Sequence, residues 1–558
     1  MTKLIECVPN FSEGRNQKII EEIAGAIRSV EGVKLLNVDP GRDTNRTVVT
    51  FVGEPAATVE AAFRAAQKAA ELIDMRKHRG AHPRMGATDV CPLIPISGVG
   101  DDECVEWAKK LAARIGDELA IPVYLYGKAA TCPEREKLPD IRQGEYEGLA
   151  QKLADRRMQP DFGPATFNPK SGATVVGVRD FMLAYNVNLN TRDRALANDI
   201  AMTLRESGRA ARDQAGNIIR NADGSAVKIP GRLKHVQASG WYIEQYGYAQ
   251  VSMNLHNLNV VGLHTAFDAV CDEAAKRGLR VTGSELIGMA PLDALRDAGI
   301  HYLRKAGKQV GVGEAEIIHT AVLSLGLNDT SPFIPEERII EYAVREPVPS
   351  LLDKPVNRFL EALASDTPTP GGGSVSALSG ALSAALSAMV AGVTFGKKEY
   401  RRRNAEMERI AVRAQQLIPE LSALADEDSR SFDAFMAALR LPQTSDADKS
   451  ARQAAKERAA IDMTEIPLRT LRLTVELLEL AEALVKKGNV NALSDAAAAA
   501  LQAEAAAWGA YYNVRINLPQ IGDGEKRAAL RQEADRLIEP VQRKSAAVRR
   551  RVRQQTAS

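Results

Sequence analysis

Residues 77–92 read KHRGAHPRMGATDVCP and hold two of the chain's seven histidines, His78 and His82, among Lys77, Arg79 and Arg84. An H-x-x-x-H spacing can put two imidazoles on one helical face around a zinc ion. Here Pro83 drives His82 out of the α region, and Gly80 weakens a helix further. Positions 79–81 are Arg, Gly and Ala, so the glutamate of a metalloprotease helix is missing too. The pair does not read as a metal site. His78 reads as a solvated member of a basic loop. His82 sits on a proline-stiffened turn at a strand entry, where it can carry a proton near neutral pH or simply be solvated. Spacing alone leaves both open.

The other end of the chain poses the opposite problem. No histidine follows His319 and no cysteine follows Cys271, so proton transfer there must use carboxylates, lysines, tyrosines or water. Asp426 and Asp428 lie in ADEDSRSF among helical residues. Two apart, they cannot share a helix face, so one points inward and the other outward. PGGGS (370–374) suggests a phosphate loop, but no G-K-[ST] follows and no strand precedes it. Gly371, Gly372, Gly373 and Ser374 better suit close backbone approach to a carboxylate or carbonyl at a helix N-terminus, or a hinge at a domain start.

These residues need elements to position them. The length of 558 residues implies roughly three or four domains. A net charge of +2 gives no general attraction to nucleic acid. Five scattered cysteines without a C-x-x-C fit free thiols in a reducing, cytoplasmic setting. The N-terminus lacks the basic-then-apolar pattern of a signal peptide. VKLLNVD (33–39), RTVVTFVG (46–53), IPVYLYG (121–127), YAQVSMNL (248–255) and LRVTGSEL (279–286) read as strands, and 57–75 and 265–278 as helices. Two related α/β units follow from this pattern, with a Gly/Asn/Asp-rich surface loop or hairpin at 211–232. Three prolines within 346–357 mark a linker, and the rest reads as an all-α bundle. Residues 367–396 carry no charge and are long enough for a membrane span. Ser379, Ser383 and Ser387 beside Leu378, Leu382 and Leu386 make them a close-packed core helix instead, and no membrane partner is expected.

ECVPNFSEG (6–14), GRDTNRTVVTFVG (41–53), HRGAHPRMGATDVCP (78–92), IPVYLYG and DFGPATFNPKSGATVVGVRDFMLAYNVNL (161–189) resemble the formiminotransferase half of the formimidoyltransferase-cyclodeaminase family. GRLKHVQASGWY (231–242) and PFIPEERIIEY (332–342) extend the likeness. RFLEALASDTPTPGGGSVSALSGALSAALSAMV (358–390), LADEDSRSFDAFMAALRLP (424–442) and 488–518 resemble the cyclodeaminase half, a relative of helical methenyltetrahydrofolate cyclohydrolases.

The resemblance implies two α/β (α+β, ferredoxin-like βαβ) subdomains, 1–180 and 181–330, a linker 331–352 and a helical-bundle domain 353–558. It implies a bifunctional enzyme of histidine degradation. The formimino group of N-formimino-L-glutamate would pass to tetrahydrofolate, and ring closure to 5,10-methenyltetrahydrofolate would release ammonia. Tetrahydrofolate, including its polyglutamylated form, is then the co-substrate, no metal is needed, and a ring-shaped homo-octamer is expected. His82 matches the family's catalytic acid/base and Asp428 the acid/base of the second step. Gly163, Pro164, Ala165, Thr166, Phe167, Asn168, Pro169, Lys170, Ser171 and Gly172 match its folate-contacting segment.

Beside these, Asp39 suits the positive charge that develops on the tetrahedral centre, or caps a turn before Pro40. Arg84 offers a fork to a substrate carboxylate, or a surface ion pair. Phe432, one turn after Asp428, would exclude water and raise its pKa, and Asp426 reads as solvated. The basic stretch 541–555 is a solvated helix end or a track for polyglutamylated folate. Rival readings are a glutamate formyltransferase joined to a methenyltetrahydrofolate cyclohydrolase, and a folate-binding scaffold without turnover.

Overall fold

The computed structural model describes residues 3–42, 45–80, 83–244, 246–345 and 349–556, and the chain divides into two compact units. The first comprises Met1–Ala294 and Leu325–Arg345. Its larger sheet has seven strands: β1 (Leu4–Cys7), β2 (Asn10–Phe11), β3 (Val33–Gly41), β4 (Arg46–Gly53), β5 (Thr88–Ser97), β6 (Val123–Gly127) and β7 (Thr174–Val178). β1 and β2 behave as one interrupted strand, since both pair antiparallel with β4 and with β5. β3 flanks β4, while β7 and then β6 extend the sheet in parallel beyond β5.

Helices Gln17–Arg28, Pro55–Leu72 and Asp101–Leu119 cover one face, and their apolar stripes close a core over Ile5, Cys7, Phe51, Cys91, Leu93 and Leu125. The first of these helices starts where Asn16 accepts the N–H groups of Lys18 (3.1 Å) and Ile19 (3.4 Å), the usual role of an asparagine cap. On the opposite face a smaller core of Met85, Tyr124, Tyr126, Ile141 and Leu149 packs the β5–β7–β6 side.

The same unit contains a four-stranded antiparallel sheet in the order β11 (Val236–Ile243), β12 (Tyr248–Leu255), β8 (Leu183–Leu189), β13 (Val281–Ile287), with helices Arg194–Leu204 and Leu263–Lys276 as its connections. This is βαββαβ connectivity of the ferredoxin-like kind. Strands β1/β2, β3, β4 and β5 with their two helices repeat it in the same spatial order, so the two α/β halves share one topology. Within the second half, between helix Arg194–Leu204 and β11, β9 (Arg209–Ala210) and β10 (Lys228–Ile229) close an exposed insertion. It doubles back through bridges Arg212↔Ile218 and Arg220↔Ala226, with turns held by Asp213 and Asp223.

The second unit comprises Leu295–Ser324 and Glu346–Ser558 and is helical. The early segment belongs here because Leu303, Val310 and Ile317 pack with Val412, and Gly311 lies against the backbone of Ala411 and Val412. The uncharged stretch forms the helix Gly372–Thr394, long and apolar enough to cross a membrane by length and composition. Its small-residue face is buried instead. Gly380 lets Leu421 approach, Gly509 lets Ser376 approach, and Ser383 Oγ donates to Ala499 O at 2.8 Å. Helices Asn404–Leu439, Asp446–Lys487, Leu493–Asn517 and Gly524–Thr556 complete the bundle around that core.

Candidate active sites

In the first unit the 75–89 turn is built from its polar groups outward. His78 is buried, at 6% exposure. Its Nε2 lies 2.8 Å from Asn45 O, and its Nδ1 accepts Arg84 Nε–H at 3.2 Å. Those partners assign the neutral Nε2–H tautomer, and burial, first among the causes, lowers its pKa from the usual histidine value. His78 is therefore a brace of the turn, which corrects its reading as a solvated bystander. Asn45, at a left-handed φ of 48°, ties the turn down from the other side by accepting Gly14 N–H and donating to Arg79 O. His82 lies outside the described residues.

Arg84 is also buried. It donates both terminal nitrogens to Glu147 (2.7 Å each) and one of them to Glu145 at 3.1 Å. The fork offered to a substrate carboxylate is thus occupied, and the ion-pair alternative fits, with the guanidinium itself buried beneath two more exposed glutamates. The bidentate contact raises the arginine pKa and holds Glu147 down at about 2. A cavity of about 490 Å³ opens beside this pair, lined by Arg79, Gly80, Arg84, Gly144, Glu145 and Glu147.

The segment Gly163–Gly172 lies against the same turn. Gly163 and Gly172 take positive φ (77° and 70°), and each has a carbonyl where a Cβ would go, Ile121 O and Met85 O. Glycine is required at both ends. Inside, Gly172 N–H reaches Asn168 O (2.8 Å), Ser171 N–H reaches Asn168 Oδ1 (3.0 Å) and Lys170 Nζ donates to Glu71 O. Met75 N–H donates to Lys170 O, Tyr146 OH to Pro169 O, and the Tyr146 ring lies 5.5 Å from that of Phe167. Pro164 is half-buried, whereas Ala165 and Thr166 are exposed at the crest. The fold therefore joins the histidine-containing turn to the glycine-bounded loop. Asp39 instead lies within strand β3, exposed and opposite Val48, so it caps no turn.

Sequence reasoning missed Asp89. It is fully buried, accepts Met85 N–H at 2.9 Å on Oδ1, and binds both Arg46 and Arg142 (2.5 Å) through Oδ2. Nothing in TDVCP marks that aspartate as more than a strand residue. Only tertiary packing brings Arg46 from β4 and Arg142 from the 138–142 helix onto it.

In the helical unit, Asp428 sits at the start of Gly372–Thr394. Ser374, fully buried, places its Oγ 3.1 Å from Asp428 Oδ2, 3.1 Å from Ser429 Oγ and 2.9 Å from Ala425 O, and its backbone N–H also faces the carboxylate. A Cβ on Gly373 would stand 2.0 Å from Asp428 Oδ1, so the glycine makes room for the acid. Gly371 is the helix N-cap and Gly372 stands exposed behind it. Burial raises the Asp428 pKa, and the Ser374 donors only partly oppose it. Such a group exchanges protons more readily than a surface carboxylate. Phe432 is half-buried against the bundle core one turn along. Asp426 accepts Ser350 Oγ–H and Leu351 N–H, each at 2.7 Å, and so anchors the chain entering the bundle. This corrects its reading as solvated.

Known proteins match both regions of the chain. The profile for the N-terminal subdomain of the formiminotransferase domain matches residues 4–179, that for the formiminotransferase domain 184–345, and that for formiminotransferase-cyclodeaminase 355–536. A formimidoyltransferase-cyclodeaminase of Sus scrofa is 43% identical over 551 residues, covering 98% of each chain. A glutamate formimidoyltransferase of Streptococcus pyogenes is 41% identical over 54% of this chain and 94% of its own. A methenyltetrahydrofolate cyclohydrolase of Methylorubrum extorquens is 39% identical over 30% of this chain and 81% of its own. With near-complete coverage of a two-part relative, the chain belongs to the formimidoyltransferase-cyclodeaminase family.

Proposed function

We propose that this enzyme transfers the formimino group of N-formimino-L-glutamate to tetrahydrofolate and then cyclises the product to 5,10-methenyltetrahydrofolate with loss of ammonia. One observation carries the reading: a single chain, alike end to end to a two-activity relative, holds a glycine-bounded loop on a polar turn and, in another unit, a half-buried acid whose pKa is raised.

In the first step a pteridine-ring nitrogen attacks the formimino carbon, loses its proton, and the glutamate amine leaves with a proton. His82 is the shuttle in this reading, a role typically worth about 10²–10⁴-fold. Gly163–Gly172 receives the folate, and exposed Asp39 offers a negative charge to the tetrahedral centre.

In the second step the aminobenzoyl nitrogen attacks the same carbon. Asp428 takes the proton that this nitrogen loses and returns it to the departing ammonia. A carboxyl raised by burial suits both transfers. The cysteines, which form no disulfide among the described residues, suit a reducing cytoplasmic setting. Exposed Leu382, Met389 and Val393 on one helix and Leu501, Tyr512 and Ile516 on its neighbour support a homo-oligomer, to be counted by light scattering.

The test supplies N-formimino-L-glutamate and tetrahydrofolate, then follows ammonia and the near-ultraviolet absorbance of the methenyl product. His82→Ala should stop only the first step and Asp428→Asn only the second. Formate in place of ammonia would favour the formyltransferase–cyclohydrolase alternative, and folate binding without turnover a scaffold.

A further inference from the structure

The Arg46–Asp89–Arg142 cluster is unbalanced. Two guanidiniums, with side chains 10% and 13% exposed, share one oxygen of a single carboxylate, so among the described residues one positive charge is left over. Arg46 Nε is used on Asn10 Oδ1 (3.1 Å), whereas Arg142 Nε is buried without a hydrogen-bond partner. Burial, with the neighbouring Arg142 charge, holds the Arg46 pKa below its usual value despite Asp89. A largely buried guanidinium without its own counter-charge among the described residues is costly, and a second anion relieves it. Its planar donors match a carboxylate by a two-point contact, which an ammonium could not reproduce. The cluster is tied to the polar turn through Met85 N–H on Asp89, one residue from Arg84.

We propose that Arg46 and Arg142 bind a glutamyl carboxylate of a substrate, with Asp89 fixing the two forks. The assignment rests on the formiminotransferase reading above. That reading offers two sources of the same chemistry: the glutamate of the formimino donor and the glutamyl tail of tetrahydrofolate. Arg84, saturated by Glu145 and Glu147, is thereby relieved of that role.

The test uses the full chain with Arg142→Gln and with Arg142→Lys, which keeps the charge but not the fork. Steady-state kinetics vary each substrate separately. In Arg142→Gln, KM for one of them should rise about 10–100-fold, the cost of losing a charge-assisted contact, with a smaller rise in Arg142→Lys. A rise for the formimino donor identifies the donor's carboxylate, and a rise for tetrahydrofolate identifies the folate tail. Ring closure of supplied 5-formiminotetrahydrofolate, at the other unit's site, should be unchanged, and a retained kcat for formimino transfer reports that the altered unit is folded. L-Glutamate, used as a probe of the donor arm, and tetrahydrofolate should each be tested for thermal stabilisation of the parent and of Arg142→Gln. This readout needs no turnover, so inactivity of the parent overturns the functional reading while leaving the anion site testable. Unchanged KM for both substrates in both variants, or equal stabilisation of parent and Arg142→Gln by both ligands, overturns the proposal.

Discussion

Asp89 is fully buried and Asp428 half-buried, and their surroundings are opposite in kind. Asp89 faces two arginines and a backbone N–H. Asp428 faces one serine hydroxyl, a backbone N–H and no partnering cation among the described residues. A carboxylate clasped by fixed charge is an anchor, because giving up its negative charge would leave the guanidiniums unopposed. One held by neutral donors can lose or regain a proton without wrecking its shell. Burial alone does not separate scaffold from catalyst; the charge of the neighbours does.

The contrast can be broken most sharply by exchanging each carboxylate for its amide. Asp428→Asn should lower ammonia release from 5-formiminotetrahydrofolate by about 10²–10⁴-fold while leaving formimino transfer intact. A loss under tenfold would remove the acid/base role. Asp89→Asn should instead act on stability, lowering the unfolding free energy of the sheet-containing unit by about 3–5 kcal/mol, measured by urea titration. A change below about 1 kcal/mol would show that the arginines are satisfied some other way.

Glu6 supplies an intermediate case. Burial raises its pKa to about 7, with Arg179 only partly opposing the shift. Its extra stability is therefore present below the unfolded value near 4.5 and is lost as pH rises through about 7. Glu6→Gln should gain up to about 3 kcal/mol over the parent at pH 9 and nothing at pH 4, and matching thermal unfolding curves at both pH values would refute this. Gly373→Ala sharpens the other side of the comparison. The new methyl must push the Asp428 carboxylate aside, and ring closure should fall about 10²-fold with folding preserved. The smallest effect is on stability at Asp428 itself. Its raised pKa favours the folded state below about pH 3.8 and ceases to do so at higher pH, so Asp428→Asn should be slightly more stable than the parent at neutral pH and no better in acid.

Much of the scaffold was legible because periodicity reports burial directly. Strands over 46–53 and 248–255, and the uncharged bundle helix, appear where the sequence places them. Strand β5 did not show itself. Pro92 and Pro95 interrupt it, and a register shift against β1 falls at Pro95. The sites divide in the same way. Asp428 and its serine follow from local motifs, the acid on one helix and PGGGS at the start of another. His78 and Asp426 were misjudged, and Arg84 was left between two readings, because their partners, Asn45, Ser350 and Glu147, lie 33, 76 and 63 residues away. Polar residues look solvated in a sequence until something distant reaches them.

The doubled-back insertion between β9 and β10 hydrogen-bonds chiefly to itself, and the chain re-enters the fold where Ala210 faces Lys228. Facing residues on paired antiparallel strands stand only about 5 Å apart, a gap that a two-residue turn can close. Residues 212–226 are therefore a natural port for engineering: a place to excise a hairpin, splice in a reporter domain or open new chain ends.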